Sequence, residues 1–180
     1  MNKDDFIRVY CAQYKILEKQ MISLSEYIAI DKSNYSTFSL QLNTLFISIC
    51  SEIDSLSGEF CKLITGDNGF GIINKIDIIV KKHPNLRNFH IETKYPFSKI
   101  DLVPFAKFAP NTDSWWSDYN KVKHDRVGTD ENGRFNYQKA NLKNVLHSIA
   151  ALYILISKIS EELEIDELPI KSELFNKTIK

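Results

Sequence analysis

The stretch 142–163, LKNVLHSIAALYILISKISEEL, decides the fold class of this 180-residue chain. Its apolar residues recur at alternating spacings of three and four, at Leu142, Val145, Ile149, Leu152, Ile156, Ile159 and Leu163. This spacing places apolar side chains on one face of an α-helix. Asn136 is a plausible N-cap for that helix. The longest uninterrupted apolar run, 149–156, is far shorter than the roughly 18 residues of a membrane span, so the stretch predicts a core helix.

The same alternation occurs twice nearer the N-terminus. One run predicts a helix of roughly 25 residues with a face formed by Ile7, Tyr10, Tyr14, Leu17, Met21, Leu24 and Ile28. A second helix carries Tyr35, Phe38, Leu42, Leu45, Ile49, Ile53, Leu56, Phe60 and Leu63. The connecting segments are short, which favours antiparallel neighbours within one chain over an intermolecular coiled coil. Dimerisation through a remaining apolar face stays open.

Residues 84–112 form an irregular insert that contains four prolines. Short strands are predicted within it near 90–93 and 100–103. A shorter helix over 70–80 precedes it, and another begins after Pro110, with Thr112, Asp113 or Ser114 as cap candidates. We therefore predict a mainly α fold, an up-down bundle of three long and two shorter helices with an irregular midsection. The predicted organisation is a single domain over 1–163 followed by an acidic C-terminal tail over 164–180.

Composition excludes several classes of protein. An apolar content of 43% supports a core, which argues against disorder. The 23 basic and 23 acidic residues cancel, which excludes a bulk-charge nucleic-acid coat and a polybasic membrane anchor. Three scattered cysteines without a CxxC pair predict reduced thiols, and no apolar signal segment opens the chain. We expect a cytoplasmic protein with no membrane attachment.

The charge is nevertheless uneven along the chain. Residues 81–126 hold nine Lys and Arg against five Asp and Glu, whereas residues 161–180 hold three against six. A polyanion would therefore bind the midsection. Phosphate-binding glycine motifs, a GxSxG elbow and metal-ligand spacings are absent from the sequence, so we expect no cofactor and no metal site.

The chemistry predicted for the midsection centres on the segment WWSDYNKVKHDR, 115–126. Trp116, Asn120 and His124 are spaced four apart, so one helical face would present an indole, an amide and an imidazole. Imidazole can give or take a proton near neutral pH, and an amide can orient a hydroxyl or a phosphate. The surrounding cations Lys121, Lys123 and Arg126 could hold an anionic oxygen. This pattern is typical of a polyanion or phosphodiester site.

Packing alone offers a second explanation of the same residues. Trp115 and Trp116 would then anchor the short helix to the bundle, while Asn120 and His124 would bond to loop carbonyls. Cations in the last turns of a helix also stabilise its negative end. The sequence leaves both interpretations open.

The segment 115–126, with Pro110 before it and the helix start 141–146 after it, resembles a group of uncharacterised bacterial helical proteins. More distantly, the architecture is similar to the HEPN superfamily of toxins, abortive-infection and other defence proteins. Catalytic members are metal-independent endoribonucleases that pair as dimers, with a motif of Arg, a polar residue and then His. Asn120 matches the polar position and His124 the histidine, whereas Tyr119 stands where Arg is expected. Arg126 would point about 200° away from His124 on an unbroken helix.

The resemblance implies a protein of a bacterial or phage conflict system that acts on RNA. His124 would transfer the proton and Asn120 would position the RNA, with Arg126 stabilising charge and Tyr119 offering a hydroxyl. Lys121, Lys123 and Trp116 would bind the substrate, and a homodimer is expected. The alternative is a non-catalytic helical module whose same face binds a partner protein, a nucleotide or RNA.

Overall fold

The computed structural model describes residues 1–109, 112–167 and 170–176. As predicted, the fold is mainly α-helical. Residues 110–111 of the predicted insert, and residues 168–169 and 177–180 of the predicted tail, lie outside the described residues. The helices are α1 (Lys3–Asp5), a π-helical segment (Phe6–Cys11), α2 (Ala12–Leu24), α3 (Leu40–Thr65), α4 (Ile72–Lys82), α5 (Trp115–His124) and α6 (Leu142–Glu162). Single 3₁₀ turns lie at Lys32–Asn34, Pro84–Asn88 and Asn136–Lys139.

The core is built around α3 and α6. The two helices pack along each other, and α3 also contacts α2, α4 and α5. The predicted apolar face of α6 is buried from Leu142 to Ile159, and the whole run 148–156 is buried as well. By length and composition α6 could cross a membrane, but 78% of its most apolar window is buried inside the protein. Its apolar character is therefore that of a helix surrounded by its own fold.

The start of α6 differs from the prediction. Its N-cap is Asn141, whose side-chain oxygen accepts a hydrogen bond from the backbone N–H of Asn144 at 3.0 Å. Asn136 instead begins a 3₁₀ turn upstream and is buried. Asparagine is a favoured N-cap residue at either position. Because Asn136 is taken up in the 3₁₀ turn Asn136–Lys139, α6 begins only after Asn141.

The π-helical segment changes which N-terminal residues face the core. The predicted face included Ile7 and Tyr10, but Ile7 is 38% exposed, and Phe6 and Cys11 are buried in their place. A π-type turn holds more residues than an α-type turn, so it rotates the buried face along the helix. The prediction for the first turns was therefore wrong. Beyond the segment the predicted face is buried at Tyr14, Leu17 and Met21.

The second long helix begins later than predicted. Ser39 caps α3 through the N–H of Leu42, so Tyr35 and Phe38 lie in the preceding loop. The predicted face is buried from Leu42 to Phe60. The helix ends at Gly66, whose φ of 82° is the left-handed conformation that favours glycine.

Two short strands lie in the insert, as predicted. β1 (Ile91–Glu92) pairs antiparallel with β2 (Asp101–Leu102), with Ile91 opposite Leu102. The segment 170–176 lies against this hairpin: the N–H of Asn176 donates to the carbonyl of Glu92 at 2.9 Å, and the N–H of Lys94 to that of Leu174 at 3.0 Å. Phe175 thereby pairs with Thr93. We call this segment the terminal strap.

Candidate functional site

Two tryptophans hold α5 against the fold. Ser114 caps the helix by accepting a hydrogen bond from the N–H of Ser117 at 3.2 Å. Trp115 is buried and its indole N–H donates to the carbonyl of Pro104 at 2.7 Å. The Trp116 ring lies 5.7 Å from that of Phe108 and is 7% exposed. Both indoles therefore anchor the helix, and Trp116 offers little surface to a substrate.

Tyr119 belongs to the core. It is 4% exposed, and its ring lies 4.8 Å from that of Trp116 and edge-on to Phe46 at 6.0 Å. Burial raises the pKa of Tyr119 to about 12, with Cys50 and Asp54 adding to the shift. The phenol is therefore neutral at physiological pH. At the position where the resemblance implies arginine, the structure places a packed aromatic ring.

Several polar residues of the segment lie at the C-terminal end of α5 and just after it. Asn120, Lys121, Lys123, His124 and Arg126 are all exposed, and we call them the α5 end cluster. Within the described residues, none of its three cations makes an ion pair with an acidic side chain. Likewise, neither its amide nor its imidazole hydrogen-bonds to any part of the chain that the structure describes. If these residues served packing alone, Asn120 and His124 would be expected to hydrogen-bond to loop carbonyls. Within the described residues they do not.

Arg126 lies beyond the end of α5, so the angle of about 200° from His124 that an unbroken helix would impose does not apply to it. Helix α5 ends at His124, because Asp125 adopts φ −150° and ψ 71°. The next residues form a tight turn in which Asp125 Oδ1 accepts a hydrogen bond from the N–H of Gly128 at 2.9 Å. The Arg126 carbonyl accepts one from the N–H of Tyr137 at 3.1 Å. The backbone of Arg126 is thereby fixed close to His124.

Asn136 locks this turn from the other side. Its side-chain Nδ2 donates to the carbonyl of Asp125 at 2.8 Å, and its N–H donates to the carbonyl of Gly128 at 2.7 Å. The residue that sequence reasoning assigned to the start of α6 therefore shapes the end of α5. Its long-range contacts carry no sequence pattern.

Replacing Gly128 by alanine should disrupt the turn. A Cβ there would overlap the carboxylate of Asp125 and would lie 2.8 Å from Nδ2 of Asn136. We expect the free energy of unfolding to fall by about 1–3 kcal/mol, measured by denaturant unfolding. Gly58→Ala is the matched control, because its Cβ would meet its nearest neighbour, Nζ of Lys75, at an ordinary 3.6 Å. Equal stability of the two variants would contradict this account.

The α5 end cluster is not enclosed in one cleft. Asn120 lines a depression of about 600 Å³ between α5 and the start of α4, together with Trp116, Asn74 and Asp77. His124 is not among the residues that line it. Of the α5 end cluster, Asn120 therefore borders the depression, while His124 lies one turn further along the helix, at its C-terminal end.

A second polar cavity on the opposite side of α5 was missed by sequence reasoning. Asp118 faces α6, where the amide Nδ2 of Asn144 donates to its Oδ2 at 2.8 Å. His147, one turn further along α6, lines the same cavity. No spacing rule links Asp118 to Asn144, because they lie on different helices 26 residues apart.

Within residues 1–109, 112–167 and 170–176, no group of three or more His, Cys, Asp or Glu side chains could hold a metal ion. Comparison of the chain with protein-family models, curated proteins and solved structures finds no match.

Proposed function

We propose that this chain is a HEPN-like protein of a bacterial or phage conflict system that cuts RNA at the α5 end cluster without a metal ion. The observation that supports this most is the exposure of His124 beside three cations that have no acidic partner in the described residues. Uncompensated cations on a surface attract a polyanion. A solvent-facing imidazole among them can transfer protons to and from that polyanion.

In the proposed reaction, His124 accepts the proton of a ribose 2′-hydroxyl. The 2′-oxygen then forms a bond to the adjacent phosphorus, and the bond from phosphorus to the 5′-oxygen breaks. The leaving 5′-oxygen takes a proton from a water molecule, and the hydroxide that remains takes back the proton held by His124. The products are a 2′,3′-cyclic phosphate and a 5′-hydroxyl. Lys123 and Arg126 stabilise the negative charge that develops on the phosphate oxygens.

The remaining residues of the segment bind or position. Asn120 and Lys121 hold the RNA strand next to His124. Trp116 and Tyr119 do not contact the RNA in this mechanism. Their packed rings fix the orientation of α5. The ammonium group of Lys123 lies 5.7 Å from the centre of the Tyr119 ring. This cation–π contact stabilises the position of the ammonium group over the ring.

The alternative proposal is a non-catalytic interaction module. It is favoured by the packed ring of Tyr119 where the resemblance implies a cation, and by the open surface around His124. In this case the α5 end cluster binds RNA, a nucleotide or an acidic face of a partner protein and makes no covalent change.

The proposal also covers the direction of the long helices and the pairing of two chains. The long helices would run up and down as a bundle, as their spacing and short connections favour. Two chains would pair as a homodimer in the cytoplasm, bringing two α5 end clusters together as in the superfamily that the segment resembles.

Purified protein incubated with cellular RNA in EDTA tests the proposal. We expect cleavage that leaves 2′,3′-cyclic phosphate ends, and a rate that His124→Ala lowers by about 10²–10⁴-fold, the usual contribution of a general acid–base group. His90→Ala is the matched control. His90 is also exposed, but it is paired with Asp101 at 2.9 Å on the hairpin, so its loss should leave the rate unchanged.

The other outcomes separate the two proposals. Cleavage that His124→Ala does not alter would contradict the mechanism. Absence of cleavage, with RNA binding that His124→Ala abolishes, would favour the interaction module. Unchanged binding and cleavage together with a lower melting temperature would contradict both, because His124 would then only support the fold.

A further inference from the structure

A cavity of about 530 Å³ lies between α5, the start of α6 and the segment 103–107. This volume falls within the range of about 300–1,000 Å³ that is typical of small-molecule sites. We call it the α5–α6 cavity. Val103, Pro104 and Trp115 give it an apolar wall, and its polar lining comprises Lys107, Asp113, Ser114, Asp118, Lys139, Lys143, Asn144 and His147.

A buried amide builds the polar side of the cavity. Asn144 is 6% exposed, and its Nδ2 donates both to Asp118 Oδ2 and to the carbonyl of Lys139, each at 2.8 Å. The other oxygen of Asp118 lies 3.6 Å from the ammonium group of Lys139. The carboxylate of Asp118 is thus occupied by the protein itself, and Asn144 and Lys139 are held in place.

His147 presents a hydrogen-bond acceptor. Its Nδ1 lies 2.8 Å from the carbonyl of Lys143. Because a carbonyl can only accept, Nδ1 must carry the hydrogen, and Nε2 of the neutral ring is left with a lone pair. Burial lowers the pKa of His147. The hydrogen bond to the Lys143 carbonyl opposes this shift, and the charge of Lys143 adds to it, so the pKa stays below its usual value. The ring is therefore neutral at physiological pH and suited to accept a hydrogen bond from a hydroxyl group.

The charges around the cavity favour an anion. Three lysines, Lys107, Lys139 and Lys143, line it against two acidic residues, Asp113 and Asp118. Asp118 is already engaged by Asn144 and Lys139. Within the described residues, Lys107 and Lys143 make no ion pair with an acidic side chain. A ligand that carries both an anionic group and a hydroxyl donor would satisfy the lysines and His147 together.

We propose that the α5–α6 cavity binds a small phosphate ester with free hydroxyl groups, either a sugar phosphate or a nucleoside monophosphate. Lys107 and Lys143 contact the phosphate oxygens, and Nε2 of His147 accepts a hydrogen bond from a hydroxyl group of the sugar. This site is separate from the α5 end cluster and does not depend on RNA cleavage at His124.

Calorimetric titration of the full chain with ribose 5-phosphate, adenosine 5′-monophosphate and sulfate tests the proposal. We expect saturable binding of one or both phosphate esters, and sulfate binding at least tenfold weaker because sulfate has no hydroxyl group. Lys143→Ala should weaken ester binding about tenfold, since it removes a charge-assisted hydrogen bond. Preference for the ribose phosphate indicates a sugar-phosphate site, and preference for the monophosphate a nucleotide site.

Three variants sharpen the test. Lys81→Ala, at an exposed lysine of α4, should leave ester binding unchanged. His147→Leu should weaken ester binding without altering that of sulfate, and a melting curve checks that this variant is folded. His124→Ala should bind the esters like the unaltered chain, which keeps this result separate from the cleavage assay. Absence of ester binding at millimolar concentration, or equal binding by Lys143→Ala, would overturn the proposal.

Discussion

Replacing Glu18 by alanine is expected to lower the free energy of unfolding by about 2–6 kcal/mol, because four donors lose their shared acceptor. The Tyr14 hydroxyl and the Leu174 N–H keep a second acceptor in Ser172 Oγ, so two donors are left unpaired at about 1–3 kcal/mol each. The Oε1 atom of Glu18 accepts hydrogen bonds from the hydroxyl of Tyr14 at 2.8 Å and from the hydroxyl of Ser172. It also accepts the backbone N–H groups of Glu173 and Leu174, each at 3.1 Å. This one oxygen fastens the terminal strap to α2.

The variants Glu18→Gln and Glu173→Ala serve as comparisons. Glutamine keeps an oxygen of the same reach, so the loss of stability should be smaller than with alanine. The side chain of Glu173 is exposed, and its removal should have little effect. Denaturant unfolding gives the stabilities, and amide hydrogen exchange at Leu174 and Phe175 reports whether the strap detaches. If Glu18→Ala is as stable as Glu173→Ala, the anchoring role is refuted.

The second large effect is expected at Trp116. Its ring packs against Phe108, Trp115 and Tyr119, with centroid distances of 5.7, 5.7 and 4.8 Å. Removing a buried ring of this size costs about 3–5 kcal/mol. Trp116→Ala should therefore lower the free energy of unfolding by about that amount. It should also weaken RNA binding, because α5 would lose the contacts that orient the α5 end cluster.

Trp116→Phe separates packing from substrate contact. Phenylalanine restores most of the aromatic contact, so stability should largely return. If the indole acts only through packing, RNA binding should recover together with stability. Binding that stays weak in a stable Trp116→Phe variant would show that the exposed edge of the indole touches the substrate. Unfolding curves and RNA titrations on the same preparations make the comparison.

The helices could be predicted because burial leaves a periodic pattern. From Leu42 to Phe60 and from Leu142 to Ile159 all the alternating residues are buried, although other residues of both helices are buried as well. The pattern failed at Phe6–Cys11, because a π-type turn changes the number of residues per turn while leaving the apolar residues apparently in phase. Local hydrogen bonding, which periodicity does not encode, decided the outcome there.

The site was predictable only where its residues are neighbours in the chain. The exposed residues Asn120 and His124 were found because they lie one helical turn apart. Arg126 could be placed only once the backbone angles of Asp125 were known. The α5–α6 cavity depends on Asp118 meeting Asn144 across two helices, a contact that follows from packing and from no motif.

Before the terminal strap has docked, part of the hairpin lacks its backbone hydrogen-bond partners. Glu18 and Ser172 are 154 residues apart, so α2 lacks this partner until residue 172 has been synthesised. Until then the backbone groups of Glu92 and Lys94 that pair with the strap form an open strand edge, which can pair with another chain. By occupying that edge, the terminal strap removes its open hydrogen-bonding groups from the surface of the folded chain.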